Sequence, residues 1–516
     1  MNEGKICVSV AAETADAMIA DIRRAAEFAD VIEVRFDCLD AAEIHGIVDN
    51  LPEINGTYLF TFRPKEQGGK RDLTLADRLK FWELIFSRPR PNFMIDLEAE
   101  TSILLAIKPN AIKRIVSQHY FDGVPDDLAP SRDVLAGFGD NIVKIAIASD
   151  DIVDAIPVWK LINNAKESGN QVIPIAMGEA GKWTRILGLA HGAFMTYASL
   201  DAGKETADGQ LTAKDLIEVY RVKELDEDAR VYGVIGDPVS QSLSPYMHNP
   251  ALAAAGENAV FMHLLVKNLD EFMGRMVRRE TREVELNFGG FSVTMPHKQS
   301  IMKHLDEIDP TAEQIGAVNT VRIEGGKLTG YNTDAHGFIT PLKATFGDLR
   351  GSRVAIFGAG GAARACVFAL RNEDADVSVF VRDPAKAEAF ADEFGVELLS
   401  ISDFKDQLSK TKGEGRKTGL SGFDIVVDAT PLGMTGPLEN ETLFSADELL
   451  GVRFVYDLVT KPTDTPLICE AKKAGIPAIG GVEMLIAQGA RQFEIWTGLE
   501  APIKLMRDSL LARMNG

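Results

Sequence analysis

The stretch Arg353–Ala363, which reads RVAIFGAGGAA, determines the architecture expected for the second half of the chain. Its first five residues form a short apolar run of the kind found in a buried strand. The glycine turn that follows fits the pattern G-x-G-x-x-A and opens the helical stretch Ala363–Leu370. A strand, such a turn and a helix in this order are typical of a dinucleotide site. The sequence therefore predicts that a dinucleotide pyrophosphate lies against Gly358, Ala359, Gly360, Gly361 and Ala362.

The next strand along the chain bears on which dinucleotide binds. The expected strand Asp376–Val381 is followed by Arg382 and Asp383, near the position of the second ribose. Arg382 could hold a 2′-phosphate, which favours NADP, whereas Asp383 could accept a hydrogen bond from a 2′-hydroxyl, which favours NAD. The two residues point to different cofactors. The sequence favours NADP only slightly, and NAD stays open.

The first half of the chain has a different pattern of predicted strands and helices. Short runs rich in β-branched residues alternate with stretches of helical periodicity, among them Ala15–Phe28, Leu75–Phe86 and Asp151–Ser168. Eight strand–helix units in about 220 residues predict a (β/α)₈ barrel. The eight expected strands are Ile6–Val10, Val31–Arg35, Tyr58–Phe62, Phe93–Leu97, Ala111–Val116, Ile142–Ile147, Val172–Ile175 and Phe194–Thr196.

Charged residues near the carboxyl ends of these strands mark the expected mouth of the barrel. Lys144 lies within an apolar run, where an ammonium is costly to bury and its pKa is easily lowered, which suits a nucleophilic amine. The alternative is an ordinary lysine that extends along the strand and keeps its ammonium in water. His119 follows another strand, and its imidazole could move protons to and from an imine. We expect five side chains to converge at this mouth: Glu33, Arg35, Arg63, His119 and Lys144.

Composition restricts the class of protein. The hydrophobic content of 46% and the charged content of 25% are ordinary for a soluble enzyme, and the net charge of −21 argues against non-specific nucleic-acid binding. The four cysteines are scattered without metal-ligand or disulfide-scaffold spacing. Neither a signal-peptide pattern nor a membrane-spanning run is visible. These features predict a cytoplasmic protein that binds no nucleic acid and no membrane, and they favour no particular oligomeric state.

A chain of 516 residues is too long for one core. The charged stretch Lys223–Asp228 interrupts the alternation of strands and helices in the first half, and the expected strand Val231–Ile235 begins a second pattern. We predict a barrel over residues 1–222, a substrate-binding domain over residues 231–340 that the C-terminal helices at about 483–516 complete, and a dinucleotide-binding domain over residues 341–482. The segment Lys405–Gly422 is expected to be a mobile surface loop without chemistry.

Five motifs of the first half occur together: Glu33–Asp37 (EVRFD), Thr61–Pro64 (TFRP), Gln118-His119, Val143-Lys144 and Thr206–Gln210 (TADGQ). They resemble those of type I 3-dehydroquinate dehydratases over residues 1–222. The resemblance implies that Lys144 forms an imine with the substrate ketone, while His119 removes the adjacent proton and helps to expel the hydroxyl as water. It also implies that the substrate is held by Glu33, Arg35, Arg63, Arg185, Thr206 and Gln210, with Arg185 pairing bidentately with the carboxylate.

Two positions depart from the pattern of that family. The family has Glu directly before the Gly-Gly of the loop after Arg63, whereas this chain reads Lys65-Glu66-Gln67-Gly68-Gly69. Gln67 or a shifted Glu66 must therefore take that role. Asp208 also stands where the family has Pro, a change that bears on a closing loop. Neither departure touches the Lys144 and His119 pair.

The second half carries its own ordered set of motifs. Ser242 and Ser244 lie two residues apart before a helix, a spacing suited to a carboxylate, and Ser244 equally suits the N-cap of that helix. Further motifs follow at Ser292–Lys298 (SVTMPHK), Gly316–Thr320 (GAVNT), Gly330–Asp334 (GYNTD), Asp428–Met434 (DATPLGM), Asp457–Val459 (DLV) and Gly481–Gln488 (GVEMLIAQ). In this order they resemble the motifs of shikimate dehydrogenases over residues 231–516.

This second resemblance implies that Lys298 and Asp334 handle the proton beside the hydroxyl or ketone. The substrate ligands that it implies are Ser242, Ser244, Thr294, Asn319 and Gln488, and it adds Thr430 and Gly481 to the cofactor site. Thr460 stands where the family has Tyr, and Val381-Arg382-Asp383 replaces an Asn-Arg-Thr signature. These departures bear on cofactor choice and on substrate discrimination.

The two resemblances together imply an α/β protein, with an N-terminal (β/α)₈ barrel followed by a two-lobed α/β dehydrogenase that has a Rossmann-type NADP-binding lobe. They imply a bifunctional enzyme that dehydrates 3-dehydroquinate to 3-dehydroshikimate through a lysine Schiff base and then reduces it to shikimate. No metal is expected, since an imine replaces the Lewis acid. Two alternatives stay open: a quinate/shikimate dehydrogenase acting oxidatively, and a metabolite-sensing regulator, which we would expect to have lost one of Lys144, His119, Lys298 or Asp334.

Overall fold

The computed structural model describes residues 2–88, 92–104, 112–125, 127–137, 142–405 and 419–515. Contacts divide the chain into two units, of which the first consists of residues 1–245 and 256–288 and the second of residues 246–255 and 289–516. The helices of eight or more residues are α1 (Ala15–Ala25), α3 (Leu75–Phe86), α5 (Ala129–Ala136), α6 (Ile156–Ser168), α8 (Ser244–Ala254), α11 (Asp334–Phe346), α12 (Gly361–Asn372), α14 (Pro466–Lys473), α15 (Gly481–Thr497) and α16 (Ile503–Asn515). The shorter helices are α2 (Ile44–Asn50), α4 (Ala99–Leu104), α7 (Lys182–Leu187), α9 (Leu269–Phe272), α10 (Pro310–Ile315) and α13 (Glu388–Phe394).

The first unit contains a parallel sheet of nine strands: β1 (Lys5–Val10), β2 (Val31–Arg35), β3 (Thr57–Thr61), β4 (Phe93–Glu98), β5 (Lys113–Tyr120), β6 (Ile142–Ala148), β7 (Gln171–Met177), β8 (Met195–Ser199) and β9 (Leu211–Thr212). Their order is β7-β6-β5-β4-β3-β2-β1-β8-β9. The sheet curls until the Phe194 N–H, just before β8, donates to the Val172 carbonyl of β7 at 2.9 Å. The predicted barrel is confirmed. The ninth strand was not predicted, because two residues carry no periodicity.

The barrel forms because alternate residues of each strand point inward and are apolar. One buried apolar cluster contains a residue from each of β1 to β7, namely Cys7, Val31, Leu59, Met94, Ile115, Ile142 and Ile173. Of the surrounding helices, α3 has the predicted bounds. It begins at a capping box, in which Thr74 Oγ1 accepts from the Asp77 N–H and the Asp77 carboxylate accepts from the Thr74 N–H.

The remainder of the first unit is a parallel strand pair with a short helix. Strand β10 (Arg230–Gly236) pairs in register with β11 (Ala259–Leu265). Helix α9 follows β11, and Asn268 caps it by accepting from the Glu271 N–H. The predicted strand Val231–Ile235 lies within β10.

The second unit begins with four strands: β12 (Phe288–Val293), β13 (Glu307–Ile308), β14 (Thr320–Glu324) and β15 (Lys327–Tyr331). Strand β14 is antiparallel to β12 and β15, and β13 is parallel to β15. Helix α15 lies against β14, since Trp496 Nε1 donates to the Val321 carbonyl at 3.0 Å. Residues near the C-terminus therefore return to the strands that carry the earlier motifs.

The second unit also contains a sheet of six parallel strands: β16 (Arg353–Phe357), β17 (Asp376–Val381), β18 (Glu397–Ser400), β19 (Ile425–Asp428), β20 (Phe454–Asp457) and β21 (Ala478–Ile479). Their order, β18-β17-β16-β19-β20-β21, corresponds to the order 3-2-1-4-5-6 of dinucleotide-binding folds. Strands β16 and β17 have the predicted bounds. The strand order reverses between β16 and β19, and the glycine turn follows β16 at that point.

Three further expectations concern a surface loop, membrane-spanning helices and metal sites. Residues 406–418 of the expected loop Lys405–Gly422 lie outside the described residues. Among the described helices, none combines the length and the hydropathy needed to cross a membrane. Within the same part of the chain, no group of three His, Cys, Asp or Glu side chains is arranged to bind a metal ion.

Candidate active sites

The Lys144 ammonium lies inside the barrel next to a carboxylate. Lys144 Nζ donates to Asp96 Oδ2 at 2.9 Å and lies 4.2 Å from the centroid of the Tyr197 ring. The side chain of Asp96 is fully buried. A buried carboxylate offsets the cost of burying the ammonium. The alternative interpretation of Lys144, in which the side chain keeps its ammonium in water, is therefore wrong.

Arg63 completes the charge cluster around Asp96. Arg63 Nη2 lies 2.6 Å from Asp96 Oδ2, and Arg63 Nη1 donates to Ser117 Oγ at 2.9 Å. Burial alone would raise the pKa of Asp96, but the cations of Arg63 and Lys144 outweigh it and hold that pKa below its usual range. Asp96 therefore stays ionised and orients both cations.

His119 is oriented by Gln67. Gln67 Oε1 accepts from the His119 backbone N–H at 3.1 Å and lies 3.3 Å from Nδ1 of the same residue. Arg63 Nη1 lies 3.4 Å from the same Nδ1, so Gln67 and Arg63 both hold the ring at Nδ1. Burial, followed by the nearby cations of Arg63 and Lys144, lowers the pKa of His119 well below its usual value. His119 is therefore a neutral base at physiological pH.

Arg185 is a buried cation that forms no ion pair with a carboxylate of the described residues. It lies in α7, its Nη2 donates to the Asp208 carbonyl at 3.4 Å, and its Nε has no partner among the described residues. Burial lowers the pKa of Arg185 to about 10, since no carboxylate among the described residues compensates for the lost hydration. Such a guanidinium is suited to bind an external carboxylate.

The other predicted substrate ligands of the barrel are buried, apart from the half-buried Thr206, and have polar partners. Glu33 accepts from Ser9 Oγ and Thr61 Oγ1, and Arg35 pairs bidentately with Asp37 at 2.9 and 2.8 Å. Gln210 Oε1 accepts from the Thr206 N–H at 2.8 Å. A single cavity of about 400 Å³ is lined by all eight residues predicted for this site, Glu33, Arg35, Arg63, His119, Lys144, Arg185, Thr206 and Gln210.

Sequence reasoning missed two residues of this site and left a third undecided. Asp96 was missed, although a lone carboxylate in the apolar run of β4 is the same signal that selected Lys144. Tyr197, which lines the cavity, carries no polar signal in the sequence because tyrosine is common in strands. Of the two candidates for the loop position, Gln67 rather than Glu66 contacts His119.

A second lysine and carboxylate pair lies in the second unit. Lys298 Nζ donates to Asp334 Oδ2 at 2.6 Å, and Asn319 Nδ2 donates to Asp334 Oδ1 at 2.8 Å. Asp334 is the first residue of α11, where the helix dipole favours a carboxylate. The three motifs Ser292–Lys298, Gly316–Thr320 and Gly330–Asp334 thus bring one cation, one anion and one amide together.

The remaining predicted substrate ligands are divided between the units. Gln488 of α15 accepts from Thr333 Oγ1 at 3.4 Å, and Thr294 precedes the turn that carries Lys298. Ser242 and Ser244 belong to the first unit, where Ser242 Oγ donates to Ser244 Oγ at 3.2 Å. Their roles stay predictions.

The glycine turn has room for a phosphate. Gly358 has φ of 111°, and a Cβ there would approach the Ala429 carbonyl oxygen at 2.9 Å. Among the described residues, a Cβ on Gly360 would meet nothing within 4 Å, and no side chain caps the N-terminus of α12. Free backbone N–H groups beside open space are suited to a pyrophosphate. Lys298 Cδ lies 3.5 Å from the position of a Cβ on Gly361, so the turn and the Lys298 pair are neighbours.

The ends of the neighbouring strands supply the rest of the predicted cofactor site. Arg382 is exposed after β17, and the Asp383 carboxylate there lies 3.3 Å from Lys386 Nζ. Thr430 follows β19, where its N–H donates to Asp428 Oδ1 at 2.8 Å. Gly481 is the first residue of α15.

Family models match both halves of the chain. Residues 6–227 match type I 3-dehydroquinase, residues 234–321 match the shikimate dehydrogenase substrate binding domain, and residues 481–511 match the shikimate 5′-dehydrogenase C-terminal domain. The first match corresponds to the barrel. The other two match stretches of the predicted dehydrogenase half.

Curated relatives agree with these matches. The shikimate dehydrogenases (NADP(+)) of Methanopyrus kandleri and Methanocaldococcus jannaschii are 41% and 39% identical, and each match covers 56% of this chain and 98% or 99% of the relative. The chloroplastic bifunctional 3-dehydroquinate dehydratase/shikimate dehydrogenase of Arabidopsis thaliana is 34% identical, and that match covers 98% of this chain and 84% of the relative. Since this similarity extends along nearly the whole chain, the chain belongs to the family of bifunctional 3-dehydroquinate dehydratase/shikimate dehydrogenases.

Proposed function

We propose that this chain converts 3-dehydroquinate to 3-dehydroshikimate in its barrel and reduces that product to shikimate with NADPH in its second half. One observation carries the first step: the Lys144 amine, the His119 imidazole and the Arg185 guanidinium line one cavity of about 400 Å³. Those three groups are a nucleophile, a base and an anion receptor, which an imine-forming dehydratase needs.

In the proposed dehydration, Lys144 Nζ attacks the C3 ketone and water leaves, which forms a protonated imine. His119 then removes a proton from C2, and the iminium accepts the electron pair. The C1 hydroxyl leaves as water, with the proton returned by the imidazolium of His119. Hydrolysis of the imine releases 3-dehydroshikimate and restores Lys144.

The neighbours of these residues support the assignment. Asp96 orients Lys144 and Arg63, and because Gln67 Oε1 and Arg63 Nη1 both contact Nδ1 of His119, we assign the proton transfer to Nε2. Arg185 offers a buried cation with an unused Nε–H to the substrate carboxylate. Glu33, Arg35, Thr206 and Gln210 surround the same cavity and are suited to the ring hydroxyls.

For the reduction, we assign proton transfer to Lys298 and orientation of that lysine to Asp334. Their 2.6 Å ion pair lies beside the glycine turn, so a proton donor is available where an alkoxide would form. Asn319 and Gln488 lie around this pair, and Thr294 precedes the turn that carries Lys298. Ser242 and Ser244 are proposed as substrate ligands from their sequence motif alone. The bound nicotinamide cofactor supplies the hydride.

Residues Gly358–Ala362, Arg382, Thr430 and Gly481 would hold the cofactor. NADP is favoured over NAD because Lys386 already pairs with Asp383, which leaves the Arg382 cation for a 2′-phosphate. The names of the two archaeal relatives specify NADP as well. A cytoplasmic location belongs to the same proposal, and four unpaired cysteines support it.

A coupled assay tests both steps. The full chain is supplied with 3-dehydroquinate and either NADPH or NADH, and the loss of reduced cofactor is followed. Wild type should consume NADPH faster than NADH. Lys144→Ala should consume NADPH only when 3-dehydroshikimate is supplied, and Lys298→Ala should accumulate the ultraviolet-absorbing enone without consuming NADPH. Each variant should lose the activity of its own site by about a hundredfold or more, because a nucleophile or a proton donor has been removed.

The exposed lysine Lys166, which pairs with Glu227, provides the matched control, and Lys166→Ala should behave as wild type. If neither cofactor is consumed by wild type, even with 3-dehydroshikimate, the proposal is wrong and a ligand-binding regulator becomes the better explanation. Full dehydratase activity in Lys144→Ala would contradict the imine mechanism but not the proposed overall reaction.

A further inference from the structure

The hydroxyl of Tyr197 is a buried polar group that the proposed mechanism does not use. Tyr197 lies in the middle of β8, is 3% exposed, and lines the barrel cavity. Its ring lies 4.2 Å from Lys144 Nζ, yet its hydroxyl makes no hydrogen bond with any described residue.

An unpartnered buried hydroxyl is unfavourable in the free protein. Leaving such a group unsatisfied destabilises a fold, and a tyrosine hydroxyl usually finds a partner when it is buried. Phenylalanine would fill the same space and contact Lys144 through the same ring without this cost. The hydroxyl is therefore explained if its partner arrives with a ligand.

The surroundings of Tyr197 define the chemistry of that partner. Burial, and then the carboxylates of Asp96 and Glu33, raise the pKa of Tyr197 well above its usual value, so the hydroxyl keeps its proton. Arg185 lines the same cavity as Tyr197, and its Nε–H lacks a partner among the described residues. Two unused donors beside one cavity call for an acceptor, and an anionic one binds Arg185 best.

We propose that the Tyr197 hydroxyl donates a hydrogen bond to the substrate carboxylate that Arg185 binds, and is thus a further substrate-binding residue of the dehydratase site. This inference rests on the proposed dehydratase function. The ring and the hydroxyl then have separate tasks: the ring covers the Lys144 nitrogen, and the hydroxyl selects substrates with an anionic group at C1.

Tyr197→Phe in the full chain removes the hydroxyl alone. The KM for 3-dehydroquinate should rise about ten- to hundredfold, as expected for a lost hydrogen bond to a charged group, with kcat changed less. The melting temperature of the free protein should stay the same or rise, because an unsatisfied buried group has been removed. A lower melting temperature with an unchanged KM would mean that the hydroxyl is structural, and would overturn the proposal.

Tyr456 offers a matched control. Its hydroxyl is also buried without a partner among the described residues, but it lies in β20 of the second unit. Tyr456→Phe should leave the KM of dehydration unchanged. An equal rise in KM for both variants would contradict a local role of Tyr197.

A substrate analogue tests which group the hydroxyl binds. Borohydride trapping of the Lys144 imine is titrated with 3-dehydroquinate and with an analogue in which hydrogen replaces the carboxylate. With 3-dehydroquinate, the concentration that gives half-saturation should be about ten- to hundredfold lower for wild type than for Tyr197→Phe. With the analogue, the two proteins should reach half-saturation at the same concentration. A penalty of equal size for both ligands would overturn the assignment to the carboxylate. Failure of wild type to form any trappable imine would instead refute the proposed dehydratase function.

Discussion

At the scale of single residues, the dehydratase site depends on charges that compensate one another inside the barrel. Lys144 and Arg63 are buried cations, and both contact the fully buried Asp96. Removing one member of such a cluster leaves an uncompensated charge, which costs far more than the cluster contributes as a whole. His119 lies beside this cluster as a neutral base, and Gln67 is the residue that orients it.

The pH dependence of dehydration should reflect the lowered pKa of His119. In the proposed mechanism the neutral imidazole is the active form, so kcat/KM should stay constant as the pH falls to 6.5 and should decline only at lower pH. Gln67→Glu places a negative charge about where Oε1 now lies, 3.3 Å from Nδ1. This charge should raise the pKa of His119 by about one to three units and move the acid limb of the profile upward by the same amount.

The control for this profile is Gln118→Glu, which adds the same charge next to His119 in sequence. Gln118 contacts the His119 carbonyl rather than the ring, so its variant should shift the acid limb much less. A profile of Gln67→Glu that matches wild type would show that the carboxylate at position 67 does not act on the histidine.

At the scale of elements, the carboxyl ends of β19 and β20 bring two carboxylates together. Asp428 is paired in register with Asp457. Burial and then the neighbouring Asp457 raise the pKa of Asp428 to about 8, and burial raises that of Asp457 to about 6. Asp428 Oδ2 has no partner among the described residues. Parallel strands that end at the same level thus hold Asp428 protonated at neutral pH.

This raised pKa predicts how stability depends on pH. Below about pH 4 the Asp428 carboxyl is protonated in both the folded and the unfolded chain, and folding carries no penalty. As the pH rises from about 4 to 8, the unfolded chain releases this proton while the folded chain retains it, so stability falls. Asp428→Asn removes the titration, and its melting temperature should decline less than that of wild type between pH 5 and 8.

Differential scanning calorimetry at these two pH values measures the effect. A difference of one pKa unit corresponds to about 1.4 kcal/mol, which shifts the melting temperature of a unit of this size by about 3–6 °C. Asp464→Asn, which changes an exposed carboxylate, should retain the wild-type pH dependence. Parallel pH curves for wild type and Asp428→Asn would mean that Asp428 is ionised in the folded protein.

At the scale of the whole molecule, the first unit includes more of the chain than the barrel alone. Asp151, which follows β6, accepts hydrogen bonds from the N–H groups of Lys267 and Asn268 at 3.2 and 2.8 Å. These contacts join residues more than a hundred positions apart. Asp150, directly before Asp151, lines the barrel cavity, so the same loop borders the dehydratase site and holds the segment after β11.

Asp151→Ala should therefore lower the stability of the full chain by about 1–2 kcal/mol, since two backbone donors at the start of α9 lose a charged acceptor. Thermal unfolding of the full chain measures this. Lys160→Ala removes the exposed ion pair with Glu283 from the same unit and should cost under about 1 kcal/mol. Equal effects of the two variants would argue that the Asp151 contacts are as weak as the surface pair.

The sequence by itself determined the fold class, the barrel and the dinucleotide-binding sheet, and it identified the two lysines to which we assign the chemistry. Periodicity decides the elements, because buried strands and amphipathic helices have different apolar repeats, and β2, β16, β17 and α3 have the predicted bounds. Lys144 was also identifiable, since an ammonium in an apolar run is unusual.

Only the tertiary structure decided which groups meet around those lysines. Asp96 and Lys144 are 48 positions apart and Gln67 and His119 are 52 apart, and their contacts depend on the order in which the strands curl. The Tyr197 hydroxyl likewise lacks a partner among the described residues only because of how the folded chain packs around it. A sequence pattern reports what each residue is and which face it occupies, whereas hydrogen bonds and pKa shifts depend on distances that long-range folding sets.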